Sequence, residues 1–384
     1  MSTHFEKMKV TTILGTRPEI IRLSEIVKKF ENTFQHRLVF SSQNREAFVG
    51  SDFFSELGLR NPDVVLENKT KTTAEFLSSL FVFVEEELLE NRPDAVVILG
   101  DTNTSLASII ARKLGIPVYH LEAGNRSFDL NVPEEINRKI VDHTSDFNLA
   151  YTNHALRNLV REGLHPRNCV VVGTPLREVI ESNRDEILKS LVLNELEIKV
   201  NEYFLVSAHR QENIDSPARL RELSETLNHL AEVFSLPIIV STHPRLQSKI
   251  ETANYVHHPL IRFITPRGFH DYCKLQMNAM VVLSDSGSVS EECAILNFKA
   301  LTLRDSMERP EALESGTIQM TGLSHRQVIP AVHLLSQSKK DTAIPVDYAI
   351  VNTSERVVNF ILSTQHVRDF WAGIRTSDEN RRNV

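Results

Sequence analysis

Two kinds of segment alternate along the first half of the chain. Short, continuously apolar runs rich in β-branched residues read as strands: KVTTILG (9–15), HRLVFSS (36–42), DAVVILG (94–100), PVYHLEA (117–123), FNLAYT (147–152) and CVVVG (169–173). The segments between them have helical patterning: the stretch after Pro18, then 73–90, 103–114, 134–144 and 153–162. A strand that is apolar on both faces belongs in a parallel sheet covered on both sides, and strand–helix alternation supplies the crossovers such a sheet needs. Residues 183–202 are charged and hold no strong strand, after which the pattern restarts with YFLVSA (203–208), PIIVST (237–242), IRFI (261–264), MVVLSD (280–285) and ALTL (300–303). The expected fold class is therefore α/β: two doubly wound, Rossmann-type domains, 1–182 and 183–364, with a ligand cleft between them and the end of the chain (365–384) packing back on the first. In open sheets of this kind ligands bind outside the carboxyl ends of the strands, so those ends are where chemistry is sought.

Composition narrows the field. At 384 residues, two or three domains with real cores are expected at roughly 150 residues each. Hydrophobic residues at 41% and charged residues at 24% fit a folded globular enzyme. A net charge of −7 argues against nucleic acid as a general partner, because phosphate backbones require a basic footprint. No apolar run approaches the ~20 residues that span a bilayer, so no membrane partner is expected. Three cysteines without CxxC spacing, Cys169, Cys273 and Cys293, fit a reducing compartment and buried packing roles. With no apolar leader in the first ten residues, the cytoplasm is the expected location.

The strand ends carry the candidate chemistry. The first strand runs into Gly15-Thr16-Arg17-Pro18-Glu19, a strand–turn–helix with capping-box spacing at Thr16 and Glu19 and Arg17 on the turn. Local capping or an anion facing the helix start both fit that motif. Neither GxGxxG nor a phosphate-loop lysine follows, so a dinucleotide or P-loop reading is weak. Asp101 follows the strand DAVVILG and could cap the next helix, Glu122 ends the following strand, and Glu134 sits in the loop-to-helix stretch VPEEINR with Arg138. Each alone is unremarked. Three carboxylates delivered to one edge suggest general acid–base work, since crowded carboxylates drive their pKa values apart. A metal site would call for clustered His or Cys ligands, which are missing, so no metal is expected.

In the second half, His209 and Arg210 follow one strand, and Ser284-Asp285-Ser286-Gly287-Ser288 follows another. Ser288 and Glu291 have capping-box spacing, and Glu292 stands in the same first turn, able to accept from sugar hydroxyls. A Gly/Ser-rich turn into a helix offers free N–H groups to an anion, and ordinary capping fits as well.

Taken together, GTRPEIIRLS, GDTNT, HLEAGNRSFDLNVPEEINR, SAHRQEN, SDSGSVSEE and ERPE, in this order, resemble the non-hydrolysing UDP-N-acetylglucosamine 2-epimerase family from about residue 9 to about 365. The resemblance implies a GT-B-like fold, a UDP-N-acetylhexosamine substrate, no cofactor and a homodimer. It matches Asp101, Glu122 and Glu134 to the acid–base carboxylates. Arg17 and His209 fall near the diphosphate, with His209 counted among the catalytic groups and Arg210 beside it. Arg138 matches a substrate-side arginine, Ser286, Gly287, Ser288 and Glu292 the diphosphate and ribose site, and Tyr272 an aromatic near uracil. Gln43 and His243 match a regulatory nucleotide-sugar site. Departures from the common pattern are Arg22 for lysine, Asn125 for leucine, Ser288 for the second glycine, and Asn44-Arg45-Glu46 after Gln43. The first two, with EAGNR-FD and STHPR, resemble the branch that forms UDP-N-acetyl-L-fucosamine from UDP-2-acetamido-2,6-dideoxy-L-talose. Other readings are a UDP-N-acetylglucosamine to UDP-N-acetylmannosamine epimerase, a hydrolysing 2-epimerase, a GT-B glycosyltransferase and a non-catalytic UDP-sugar sensor.

Overall fold

Seven parallel strands form the first sheet, in the order β3-β2-β1-β4-β5-β6-β7. They are β1 (Lys9–Leu14), β2 (Gln35–Phe40), β3 (Val64–Val65), β4 (Ala95–Leu99), β5 (Val118–Leu121), β6 (Phe147–Ala150) and β7 (Cys169–Val171). The computed structural model describes residues 7–43, 52–208, 210, 213, 215–242, 255–338 and 344–374. Six parallel strands form the second sheet, ordered β10-β9-β8-β11-β12-β13. These are β8 (Phe204–Ser207), β9 (Ile238–Ser241), β10 (Ile261–Ile264), β11 (Val281–Ser284), β12 (Ala300–Thr302) and β13 (Gln319–Met320). Both sheets are doubly wound α/β layers, the class expected from the alternating pattern.

The strand sequences explain this arrangement. β4 is buried along its whole length and β1 at every position but its first, which suits strands with helices over both faces. Helix Arg17–Thr33 lays Ile20, Leu23, Val27 and Phe30 inward at three- and four-residue spacing. Helix Thr73–Glu90 buries Phe76, Leu80, Val84 and Leu88 at four-residue spacing, and the Thr72 side chain caps it by accepting from Glu75 N–H at 3.2 Å. The expected helix 103–114 is instead a 3₁₀ turn, Asn103–Leu106, followed by helix Ala107–Lys113. The Ser105 hydroxyl in that turn donates to Leu99 O, a bond that ties the turn back to β4.

The contacts divide the chain into two units. One holds the described residues up to Arg126, Pro133–Val179 and those from Ile350 onward; the other holds Ser127–Val132 and Ile180–Ala349. The chain thus rejoins the first unit at Ile350, earlier than the expected 365. Side chains of helix Thr353–Thr364 and of the short helix Arg368–Ala372 account for this. Thr353 Oγ1 lies 3.1 Å from Val172 O and 3.2 Å from Thr174 O. The Tyr119 and Thr364 hydroxyls lie 2.9 Å apart, and buried Arg368 donates from Nε to Asp146 at 2.7 Å. Among the described residues no helix is long and apolar enough to cross a membrane.

Candidate functional site

In each sheet the strand order reverses at one pair of neighbours: β1 and β4 in the first, β8 and β11 in the second. Doubly wound sheets bind ligands outside the carboxyl ends of the strands at this reversal. Candidate residues from the sequence follow all four strands.

In the first unit, β4 and β5 run in register with Leu99 opposite Leu121, which puts Asp101 and Glu122 at adjoining strand ends. Asp101 does not cap the following helix. Its Oδ2 accepts from Arg138 Nε at 3.0 Å and Nη2 at 2.5 Å, and its carbonyl accepts from Asn137 Nδ2 at 3.0 Å. Arg138 is almost fully buried and also donates from Nη1 to buried Glu135 at 3.0 Å. The helix that opens with Glu134 (Glu134–Thr144) therefore reaches back and holds Asp101 from the side, with half-buried Glu134 at its start.

Glu122 has a left-handed backbone, φ +64°. For a non-glycine residue this costs of order 1–3 kcal/mol and persists only where the surroundings impose it. Its carboxylate accepts from Asn125 Nδ2 at 3.3 Å and lies 4.0 Å from Arg22 Nε. Arg22 is buried, with its guanidinium 5.6 Å from the Tyr151 ring centre. Two of the departures noted in the sequence, Arg22 and Asn125, thus meet at one carboxylate. Arg17 is half-buried, its guanidinium 4.5 Å over the Phe53 ring. The Gln43 amide oxygen accepts from Thr104 N–H and Oγ1, both at 2.9 Å, which engages it within the unit.

Sequence reasoning missed what supports this edge. Buried Glu19 accepts from Gly15 N–H at 2.6 Å, Thr16 N–H at 2.8 Å and Thr102 Oγ1 at 2.6 Å. Burial pushes its carboxyl up to about 7, outweighing those hydrogen bonds. Behind β5, His120 Nε2 donates to Gly100 O at 2.8 Å while Nδ1 lies 2.9 Å from Asp142, which also takes Arg126 Nη1 at 2.7 Å. Only the Thr16–Glu19 and Glu135–Arg138 spacings carried a local signal; His120 and Asp142 meet through the fold.

In the second unit, Asp285 gathers the ends of β8 and β11. Fully buried, its Oδ2 accepts from Arg210 N–H at 3.0 Å and Asn213 Nδ2 at 2.9 Å. The Arg210 guanidinium turns inward, donating to Asp285 O at 3.0 Å and Glu308 at 3.3 Å. Ser286, Gly287 and Ser288 form a half-buried turn in which the two serine hydroxyls lie 2.9 Å apart. A side chain at Gly287 would meet Arg309 Nη1 at 3.1 Å and Glu308 Oε2 at 3.2 Å.

The Ser288–Glu291 capping box expected from the spacing does not form. Ser288 makes no side-chain cap, and Glu291 is fully buried against Arg309 Nε at 2.6 Å. A nearby arginine competes better for that carboxylate than a backbone N–H does. Glu292 remains half-buried and is oriented by Gln276 Nε2 at 2.5 Å. Tyr272 is half-buried on the helix Phe269–Asn278; desolvation, with the Glu292 charge, pushes its phenol upward. His209 and His243 lie outside the described residues. All three cysteines are buried and none is in a disulfide, and no group of three His, Cys, Asp or Glu side chains among the described residues is placed to hold a metal.

The sequence and fold have known relatives. The family model for UDP-N-acetylglucosamine 2-epimerase matches residues 28–362. A UDP-N-acetylglucosamine 2-epimerase of Methanocaldococcus jannaschii is 36% identical over 92% of this chain and 99% of its own. The crystal structure of the M. jannaschii enzyme in complex with UDP-GlcNAc and UDP superposes with a TM-score of 0.87 at 37% identity, covering 93% of this chain and 100% of that one. A UDP-2,3-diacetamido-2,3-dideoxy-D-glucuronate 2-epimerase of Pseudomonas aeruginosa is 30% identical over 84% of this chain and 90% of its own. With the family match spanning most of both sheets and relatives aligned nearly end to end, the chain is an isomerase that belongs to the UDP-N-acetylglucosamine 2-epimerase family.

Proposed function

We propose that the enzyme inverts C2 of a UDP-2-acetamido sugar by eliminating UDP and adding it back. The observation that carries this reading is the set of carboxylates following β4, β5 and the next loop: Asp101 oriented by Arg138, Glu122 beside Arg22 and Asn125, and Glu134 at a helix start. The C2 proton of such a sugar is not next to a carbonyl, so direct removal is unfavourable. Breaking the C1–O bond sends its electron pair away with UDP. Loss of the C2 proton to a carboxylate then closes a C1–C2 double bond, giving a 2-acetamido-glycal. Protonation from the opposite face and return of UDP yield the epimer. Acid–base groups near both faces of C2 serve this sequence, and no redox cofactor enters it. Departing UDP needs donors, for which the reading uses Arg17, His209 and the Ser286–Ser288 turn, with Glu292 on the ribose and Tyr272 near uracil.

For the sugar, we propose UDP-2-acetamido-2,6-dideoxy-L-talose, giving UDP-N-acetyl-L-fucosamine. Support comes from Arg22 and Asn125, the two departures resembling that branch, which both address Glu122. A guanidinium and an ammonium do not place a hydrogen bond alike, so this pair resets the position of one acid–base group. The relatives named for UDP-N-acetylglucosamine support that sugar as the second reading. Gln43 and His243 belong to a proposed regulatory site. The reading also takes the enzyme as a cytoplasmic homodimer, for which sedimentation is the check. A panel of UDP-N-acetylhexosamines, including 6-deoxy-L sugars, followed by NMR tests the assignment. Faster turnover of UDP-N-acetylglucosamine to UDP-N-acetylmannosamine would refute the 6-deoxy substrate, and release of free sugar would refute the non-hydrolysing reaction.

A further inference from the structure

The turns after β1 and β4 carry Arg17 and Asp101, and one side chain joins them. Glu19 is 2% exposed. Its Oε2 takes the N–H groups of Gly15 and Thr16, the two residues before Arg17, at 2.6 and 2.8 Å. Its Oε1 takes the hydroxyl of Thr102, the residue after Asp101, at 2.6 Å. Capping the helix needs only the first pair of bonds, and a solvated carboxylate would make them without the cost of burial. Burial gains the third bond, across strands 83 residues apart in sequence.

The surroundings leave these turns little freedom. A Cβ on Gly15 would stand 2.1 Å from Ser41 Oγ and 2.3 Å from Thr104 Oγ1. Those hydroxyls lie 2.7 Å apart, and the Gln43 amide oxygen closes the set on Thr104. The ends of β1, β2 and β4 are thereby interlocked around a buried carboxyl group.

We propose that Glu19 is a positioning residue for the epimerisation, setting the separation of the Arg17 turn from the Asp101 turn without itself touching the sugar. The proposal rests on the function proposed above. It requires that the bond to Thr102 matter, and not merely the presence of a helix cap.

The test compares kcat and KM of the wild type, Glu19→Gln, Glu19→Ala, Thr102→Val and Thr102→Ser on the UDP-sugar the wild type turns over best. Amide exchange at Gly15 and Thr16 is measured alongside by NMR. Misplacing reacting groups by about 1 Å can cost up to about a hundredfold, so Glu19→Ala and Thr102→Val are expected to lower kcat at least about tenfold with KM within about threefold. Glu19→Gln keeps an acceptor for the N–H groups and a partner for Thr102, and Thr102→Ser keeps the hydroxyl; both are expected within about threefold of wild type. The Gly15 and Thr16 amides are expected to exchange at least about tenfold faster in Glu19→Ala than in wild type or Glu19→Gln.

Wild-type kcat in Glu19→Ala, or amides as protected there as in wild type, would overturn the proposal. Should Glu19→Ala fail to fold, the Thr102 pair decides: a slow valine variant with a restored serine variant supports the brace, and two unchanged variants overturn it. A wild type inactive on every UDP-sugar would instead strike the proposed function, and the exchange data would still judge the brace.

Discussion

The reversal point of the first sheet and that of the second meet the same structural need with different chemistry. In each, a buried carboxylate ties two neighbouring strand ends: Glu19 across β1 and β4, Asp285 across β8 and β11. Around Glu19 the partners are N–H groups and hydroxyls, and burial dominates the carboxyl, leaving it near neutrality at about 7. Around Asp285 lies a network of full charges, in which Arg210 and Arg304 donate to Glu308 and Arg309 donates to Glu291. The first edge also presents carboxylates, the second a Ser-Gly-Ser turn. In the proposed function the three carboxylates of the first edge do the acid–base work, while the turn of the second joins Arg17 of the first in holding departing UDP.

Removing the carboxylates proposed for acid–base work is the largest break. Asp101→Asn, Glu122→Gln and Glu134→Gln are each expected to lower turnover by roughly 10²–10⁴-fold, with UDP affinity nearly unchanged by calorimetry. Near-normal turnover in all three would dissolve the chemical distinction between the edges.

The charged network of the second edge predicts the next effect. Arg309→Met takes the arginine away from fully buried Glu291, and removing one partner of a buried pair costs about 3–5 kcal/mol. Urea denaturation should read that loss; a change below about 1 kcal/mol would show the pair to be well solvated.

The near-neutral carboxyl of the first edge predicts a pH dependence instead. Glu19 has its folded-state pKa raised from 4.5 to about 7, so its contribution to stability is fully present below about 4.5 and is lost as pH rises through about 7. Glu19→Gln does not ionise. Its stability relative to wild type is therefore expected to rise between pH 5 and pH 8, by an amount on the order of 3 kcal/mol. A pH-independent difference would show that Glu19 titrates normally.

The smallest expected effect belongs to the nucleotide side. Glu292→Ala should weaken UDP binding roughly 10–150-fold, the value of one charge-assisted hydrogen bond. Unchanged affinity would take Glu292 out of the site.

Much of this was legible in the sequence. Apolar runs located eleven strands because a parallel strand covered on both faces must be apolar throughout. β3 and β13 are two residues long and give no periodic signal. Carboxylates at strand ends stood out because they interrupt those runs. What was not legible is who partners whom. Thr16–Glu19 and Ser288–Glu291 have the same spacing, yet Glu19 caps its own turn and Glu291 turns to Arg309. Only the fold brings Thr102 to the first and Arg309 to the second. Arg210 shows the same limit: its place at a strand end suggested an anion contact, and Asp285 and Glu308 take its guanidinium.

Elimination and return of UDP is the central claim, and positional isotope exchange tests it most directly. A UDP-2-acetamido sugar labelled with ¹⁸O in the bridge between C1 and the β-phosphate is incubated with the enzyme in D₂O. The account predicts that ¹⁸O scrambles into the non-bridging positions of the β-phosphate while C2 gains deuterium and the sugar stays joined to UDP. Epimer formed with the label retained wholly in the bridge and C2 free of deuterium would contradict the account.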